Sequence, residues 1–241
     1  KTNDEDLEHI KVFPYHPDTK TFRFSYHYFQ KRHELADQQI DDFLKELDEQ
    51  GLMEDTIIFY YGDHGGVLPR SKGYAYESGL QIPLIVYVPE KWKHLIPYDR
   101  GSRSETFVEF IDLAPTALAL AGVNVPKGMD GTPVMGKIVQ KSKIKNKNTA
   151  FGHADRFDEK YDFVRTLRVG KYKYIRNYQP FNMDALFNFY RNKMLAYKEW
   201  SSLYREGKLN DVQSQFFKPK SPEALYNIED DPHEINDLSN S

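Results

Sequence analysis

Thr56-Ile-Ile-Phe-Tyr-Tyr-Gly-Asp-His-Gly-Gly66 is the stretch that most limits what this chain can fold into. Six β-branched or aromatic residues, Thr56 to Tyr61, run without polar alternation, which predicts a strand buried on both faces as in parallel sheets. Asp63 and His64 fall where that strand ends, the position at which open α/β sheets bind ligands. The glycines around them let the backbone turn sharply and leave room beside the acid. A carboxylate next to an imidazole at this place predicts a metal or proton-transfer site. The competing reading is a polar turn after a core strand, but such turns rarely need a His among three glycines.

The surrounding pattern extends the same architecture. Residues 1–20 are polar, with Pro14 and Pro17, and read as a lead-in loop. From Thr21 to Gln50, Leu35, Ile40, Phe43, Leu44 and Leu47 share one helical stripe, which predicts a helix packed back on the sheet with Gly51 as its stop. A Gly-rich loop spans Gly65 to Gly79, and Pro83-Leu-Ile-Val-Tyr-Val88 predicts a second strand. Asp112 is placed to start a helix that tolerates Pro115 and ends at Gly122. This alternation is that of a doubly wound α/β sheet. Lys137 to Thr149, with Lys141, Lys143, Lys145 and Lys147, reads as a solvated linker. Beyond it, residues 163–168 and 171–178 predict a β-hairpin around Gly170. Residues 184–206 predict a helix whose aromatics belong to the core, and 223–238 a short strand and an acidic turn. The expected division is 1–148 and 149–241.

Totals exclude several classes. Among 241 residues the net charge is -3, against the basic excess of nucleic-acid binders. No run approaches the length of a membrane-spanning helix. Without Cys there is no disulfide, thiol nucleophile or zinc-thiolate site. No Asn-x-Ser/Thr sequon occurs, which favours a bacterial product.

Further candidates for chemistry flank the Asp-His pair. Lys72, in Arg70-Ser-Lys-Gly-Tyr-Ala-Tyr-Glu-Ser-Gly79, is a compact positive charge suited to a sulfate or phosphate oxygen; an exposed loop Lys is the alternative. Glu77 is placed to orient Lys72 or to hold the loop by accepting backbone N–H groups. His153, Asp155 and Arg156 face the same cleft if the second part folds back over the sheet, and form a surface turn otherwise. The remaining histidines, His9, His16, His27, His33, His94 and His233, have no ligand spacing.

Taken in order, these segments resemble a known family. Asp63-His64-Gly65, Lys72 to Gly79 and Pro83 resemble the second signature region of the sulfatases, within the alkaline phosphatase superfamily. Asp112 to Gly122, the hairpin at Arg168 to Arg176, and Leu225 to Leu238 are similar to further sulfatase blocks in the same order. Pro14 to Thr19 and residues 151–181 look most like the sulfamidase (N-sulfoglucosamine sulfohydrolase) branch.

The resemblance implies the C-terminal part of an alkaline-phosphatase-like doubly wound sheet, followed by a small α+β domain with an antiparallel hairpin. It implies that Asp63 and His64 are metal ligands and that Lys72 contacts sulfate. His153 and Arg156 then become the candidates for sugar contacts. Calcium is the first expectation, with manganese or zinc as alternatives because sulfatases more often carry Asn where His64 stands and imidazole suits calcium poorly. It further implies a sulfuric ester or sulfamate hydrolase acting on sulfated carbohydrate, periplasmic or secreted rather than lysosomal. Sulfatases use a formylglycine made from a Cys/Ser-x-Pro-x-Arg motif, and none of the 13 prolines here has Cys or Ser two residues before it. The formylglycine and the other metal ligands are therefore expected in an N-terminal half that would be this chain's partner. A phosphonate or phosphate ester hydrolase of the superfamily and a non-catalytic sulfated-glycan binding module are the alternatives. No Asp in residues 1–62 has a His four positions on, against the two-metal phosphodiesterases. By itself this chain is expected to turn over no aryl sulfate; measurable hydrolysis by residues 1–241 alone would contradict that.

Overall fold

Thr19 opens the longest element. Its hydroxyl accepts from Phe22 N and caps a thirty-residue helix, α2 (Lys20–Glu49), which follows a single turn, α1 (Glu5–Glu8). Gly51, at φ +68°, ends α2 as the sequence predicts. This is a computed structural model, and it describes residues 5–139, 142, 144 and 146–239.

Next come β1 (Ile58–Tyr61), a short helix α3 (Glu77–Leu80), β2 (Leu84–Tyr87) and α4 (Leu113–Leu120). Strands β3 (Thr149–Phe157), β4 (Lys160–Val169) and β5 (Tyr172–Asn177) precede helices α5 (Phe189–Asn192), α6 (Leu195–Arg205) and α7 (Asp211–Ser214), and β6 (Glu223–Asn227) closes the series. The second sheet runs β3-β4-β5-β6, every neighbour antiparallel, with Gly170 at φ +55° in the predicted hairpin.

Four expectations need correction. First, β1 pairs antiparallel with β2, Ile58 opposite Tyr87 and Tyr61 opposite Leu84, and is not buried on both faces. Among the described residues this sheet has two strands, too few to cover an apolar face, and Ile85 stays 60% exposed. Second, the α2 stripe is not packed against it: none of Leu35, Ile40, Phe43, Leu44 and Leu47 is buried. The buried end of α2 is its beginning, where Phe22 and Tyr26 join a core with Leu68, Tyr74, Tyr197, Trp200 and Phe216.

Third, residues 184–206 do not form one helix. Asn188 caps α5 by accepting from Arg191 N, and extended Met194 separates it from α6. Tyr197 and Trp200 are core as predicted, but Phe189 and Tyr190 are turned outward. Fourth, the linker is not wholly solvated. Ile144 is buried and Lys147 pairs with the carboxylate of fully buried Asp112, which also accepts from Glu109 N and Thr132 N. A buried carboxylate needs a counter-cation, and the linker supplies it. Lys141, Lys143 and Lys145 lie outside the described residues.

Core packing crosses the position-148 boundary, since Phe22, Leu68 and Tyr74 meet Trp200 and Phe216. His16 sits among them. Its Nε2 lies 3.0 Å from Pro69 O and its Nδ1 2.7 Å from Tyr26 Oη. Pro69 O can only accept, so Nε2 carries the proton and Nδ1 accepts from Tyr26.

Burial lowers the His16 pKa from 6.5 to about 3. Between those values the unfolded chain binds a proton that the folded one refuses. The contribution is complete above about pH 6.5 and is lost as pH falls toward 3. Between pH 6 and pH 4 the native protein should therefore lose roughly 1.4 kcal/mol of unfolding free energy per pH unit more than a His16→Asn variant. Parallel urea-unfolding curves for the two would contradict this.

Candidate functional site

Asp63 and His64 follow the C-terminal end of β1, as the sequence predicts. Behind them the loop closes on itself. Gly65 N donates to Gly79 O at 2.9 Å, and a Cβ on Gly65 would lie 1.9 Å from Ser78 O, so only glycine fits. Asp63 is exposed and its Oδ1 lies 3.3 Å from His64 Nε2. His64 Nδ1 is 2.6 Å from Gly65 O, an acceptor only, so Nδ1 carries a proton. Nε2 and the Asp63 carboxylate therefore lie at a spacing at which the two can share a cation. A ring N–H fixed on a backbone carbonyl is the usual way to aim the other nitrogen of a metal-binding His. The pair thus fits as two converging donors of a larger set. Among the described residues no cluster of three or more His, Cys, Asp or Glu completes it.

Lys72 stands on the same loop, half-buried, with Nζ 5.7 Å from the Tyr190 ring. Its backbone is fixed on both sides: Lys72 N donates to Gly66 O at 3.0 Å and Lys72 O accepts from Arg191 Nη2. His153 and Arg156 are exposed on β3, and Arg156 Nε donates to Asp158 O at 2.6 Å. Asp155 is paired with Arg165, which lowers its pKa by hydrogen bonding. Among the described residues, no hydrogen bond or ion pair joins His153 or Arg156 to Asp63, His64 or Lys72.

Comparison with known proteins gives the chain its place. The family model described as Sulfatase matches residues 10–123. An ulvan-active sulfatase of Formosa agariphila is 36% identical over 235 residues, 96% of this chain and 37% of that protein. The chain belongs to the sulfatase family. Iduronate 2-sulfatase of Mus musculus is 30% identical over 147 residues, covering 51% of this chain and 26% of that protein. Two solved sulfatase-fold structures agree. One, in complex with D-glucosamine-2-N,6-O-disulfate, has a TM-score of 0.56 at 22% identity, over 85% of this chain and 34% of its own. A 2-O glycosaminoglycan sulfatase has a TM-score of 0.62 at 17% identity, over 94% and 41%. These likenesses give the alkaline-phosphatase-like α/β fold. The chain spans less than half the length of these relatives.

The residues that hold the sulfatase loop were not all visible in sequence. Among the described residues, Glu77 neither meets Lys72 nor accepts a backbone N–H group with its carboxylate. It accepts from Arg168, lies 3.1 Å from Lys173 Nζ, and its own N–H donates to Glu234 Oε2 at 2.7 Å. Glu234 Oε1 is 2.7 Å from the same Lys173 ammonium, and Lys173 and Glu234 are both fully enclosed. Arg70 adds a second link. At φ +61° its backbone is in the left-handed region, its guanidinium lies on the Tyr15 and Tyr76 rings at 4.3 and 3.7 Å, and it donates to His233 O and Glu234 O. Strained backbone of this kind persists where surroundings over-determine it. Tyr76, its phenol kept protonated by burial, donates to Asp184 Oδ2 at 2.7 Å.

In sequence the strand positions of this network look like those of a solvated face. The inward positions of β4 and β5 include Lys160, Asp162 and Lys173, ions where a core would be apolar. Removing one member strands the others without solvent. Glu234→Ala should therefore lower unfolding stability by about 3–5 kcal/mol, measured by urea denaturation. A loss within about 0.5 kcal/mol, the size of an ordinary surface change, would contradict the network's role.

Proposed function

We propose that this chain supplies the metal-side and sulfate-facing groups of a sulfuric ester or sulfamate hydrolase acting on sulfated carbohydrate. The observation that carries the reading is the aimed Asp63–His64 pair, with Nε2 3.3 Å from Oδ1, on the loop that also fixes Lys72. Relatives named for ulvan and for iduronate, and a neighbour solved with a disulfated glucosamine, support sulfated sugar as the substrate class. The lead-in at Pro14 to Thr19 supports the sulfamidase branch.

In this reading Asp63 and His64 hold a divalent cation, calcium first and manganese or zinc as alternatives, whose chemistry when bound is to draw charge from the sulfate oxygens. Lys72 places a compact ammonium on those oxygens, from a backbone that is tied on both sides before substrate arrives. The formylglycine nucleophile comes from chain outside residues 1–241, which hold no Cys/Ser-x-Pro-x-Arg. Residues 1–148 belong to the catalytic core and 149–241 to a subdomain that braces its loop. His153 and Arg156, exposed on β3, serve as outer sugar contacts. A periplasmic or secreted location goes with a polysaccharide substrate, and no helix among the described residues is long and apolar enough to cross a membrane.

The test is Lys72→Ala in the protein that carries the nucleophile. Loss of one preorganised charge lowers turnover by about 100- to 1000-fold, and the variant should unfold at the native temperature because Lys72 has no buried ion partner to strand. Near-native turnover of a sulfated sugar by that variant would overturn the assignment.

A further inference from the structure

Two aromatic residues are turned outward on α5, and one of them, Tyr190, lies beside Lys72. Tyr190 is 49% exposed and Phe189 61%. The Lys72 ammonium is 5.7 Å from the Tyr190 ring, and Phe157 meets that ring edge-on at 6.2 Å. An exposed aromatic on a loose loop would carry no inference, but this one is held in a frame.

Asn188, fully buried, donates from Nδ2 to Phe157 O at 3.1 Å and accepts from Arg191 N at 3.0 Å. Glu159 accepts from Phe189 N. Arg191 is almost completely enclosed, with its guanidinium 4.2 Å from both the Tyr74 and Phe157 rings, and it donates Nη2 to the Lys72 carbonyl. Gly73, at φ +78°, makes room for it: a Cβ there would lie 2.3 Å from Nη2. The backbones that carry the ring and the ammonium are thus held together by the fold. Among the described residues Arg191 Nη1 is buried without a hydrogen-bond partner, and Lys193 Nζ lies 4.1 Å from the Phe189 ring, so the surroundings of Tyr190 are cationic as well as aromatic.

We propose that Tyr190 forms the wall of a sugar subsite: its ring stacks on the pyranose whose sulfate Lys72 faces. The proposal rests on the reading of Lys72 given above. The complementarity is twofold. The anionic substituent meets the ammonium, and the C–H face of the sugar, slightly positive, meets the negative face of the ring. The site then takes a sulfated pyranose in preference to free sulfate, and Tyr190 determines that preference.

The experiment titrates the protein that carries the nucleophile, with the formylglycine position replaced by Ala so that the sugar is not consumed, in millimolar calcium at low ionic strength, with inorganic sulfate and with D-glucosamine-2-N,6-O-disulfate by ligand-observed NMR. The sugar should bind more tightly than sulfate. Tyr190→Ala should weaken the sugar by about two- to tenfold, the range of one aromatic contact, and leave sulfate affinity unchanged. Tyr190→Phe should keep the native sugar affinity. If Tyr190→Ala binds the sugar as the native chain does while Lys72→Ala loses both probes, the subsite is wrong and the Lys72 reading stands. If Lys72→Ala binds both probes as well as the native chain, the Lys72 reading itself fails. A native chain that binds neither probe overturns both. Tyr190 is half-exposed, so far-UV circular dichroism of the variants should match the native chain.

Discussion

A single lysine ammonium, Lys173 Nζ, sits between the carboxylates of Glu77 and Glu234, and the placement of the loop between β1 and β2 depends on it. Two carboxylates this close would repel each other out of water. The lysine, with Arg168 on the far side of Glu77, makes their burial tolerable. Charges in such a place add little net stability compared with an apolar packing. What they fix here is one arrangement, since Glu77, Lys173 and Glu234 meet only where α3, β5 and the 231–238 turn come together. Glu234 also accepts from the first N–H of α3, so the one side chain fixes both the ion pair and the direction in which the loop returns to β2.

From that anchor the loop is drawn taut in both directions. Arg70 reaches back to the carbonyls of His233 and Glu234, and Tyr74 and Tyr76 donate toward Asp184. Arg191 takes the carbonyl of Lys72. Between these fixed points remain the two groups with exposed chemistry, the Asp63–His64 pair and the Lys72 ammonium. The C-terminal third of the chain therefore acts on the loop without contributing Asp63 or His64: it sets where the Lys72 backbone can be.

What sequence could show follows from range. The placing of Asp63 and His64 at the end of β1 was legible because the strand, the turn glycines and the pair are contiguous. The hairpin around Gly170 and the stop at Gly51 were legible for the same reason. Gly65 and Gly79 announced a close approach without naming what approached. The partnership of Glu77 with Glu234 joins residues 157 apart, and no local pattern encodes it; a lysine at Lys173 reads as an ordinary solvated strand position. The α2 stripe misled for a different reason. Periodicity records an apolar face but not the layer that covers it, and among the described residues Leu35 and Phe43 have no such layer. Lys147 misled because its neighbours are polar, whereas its partner, Asp112, is buried 35 residues earlier.

Buried ions from the C-terminal third should make the loop bearing Lys72 rigid. Native-state amide hydrogen exchange measures this directly. The amides of Lys72, Tyr74 and Gly79, bonded within the loop to Gly66 O, Ser71 O and Tyr76 O, should be protected to the level of β4 and β5. In Glu234→Gln that protection should fall while the sheet keeps its own. Loop amides that exchange at coil rates in the native protein, beside a protected sheet, would contradict the account.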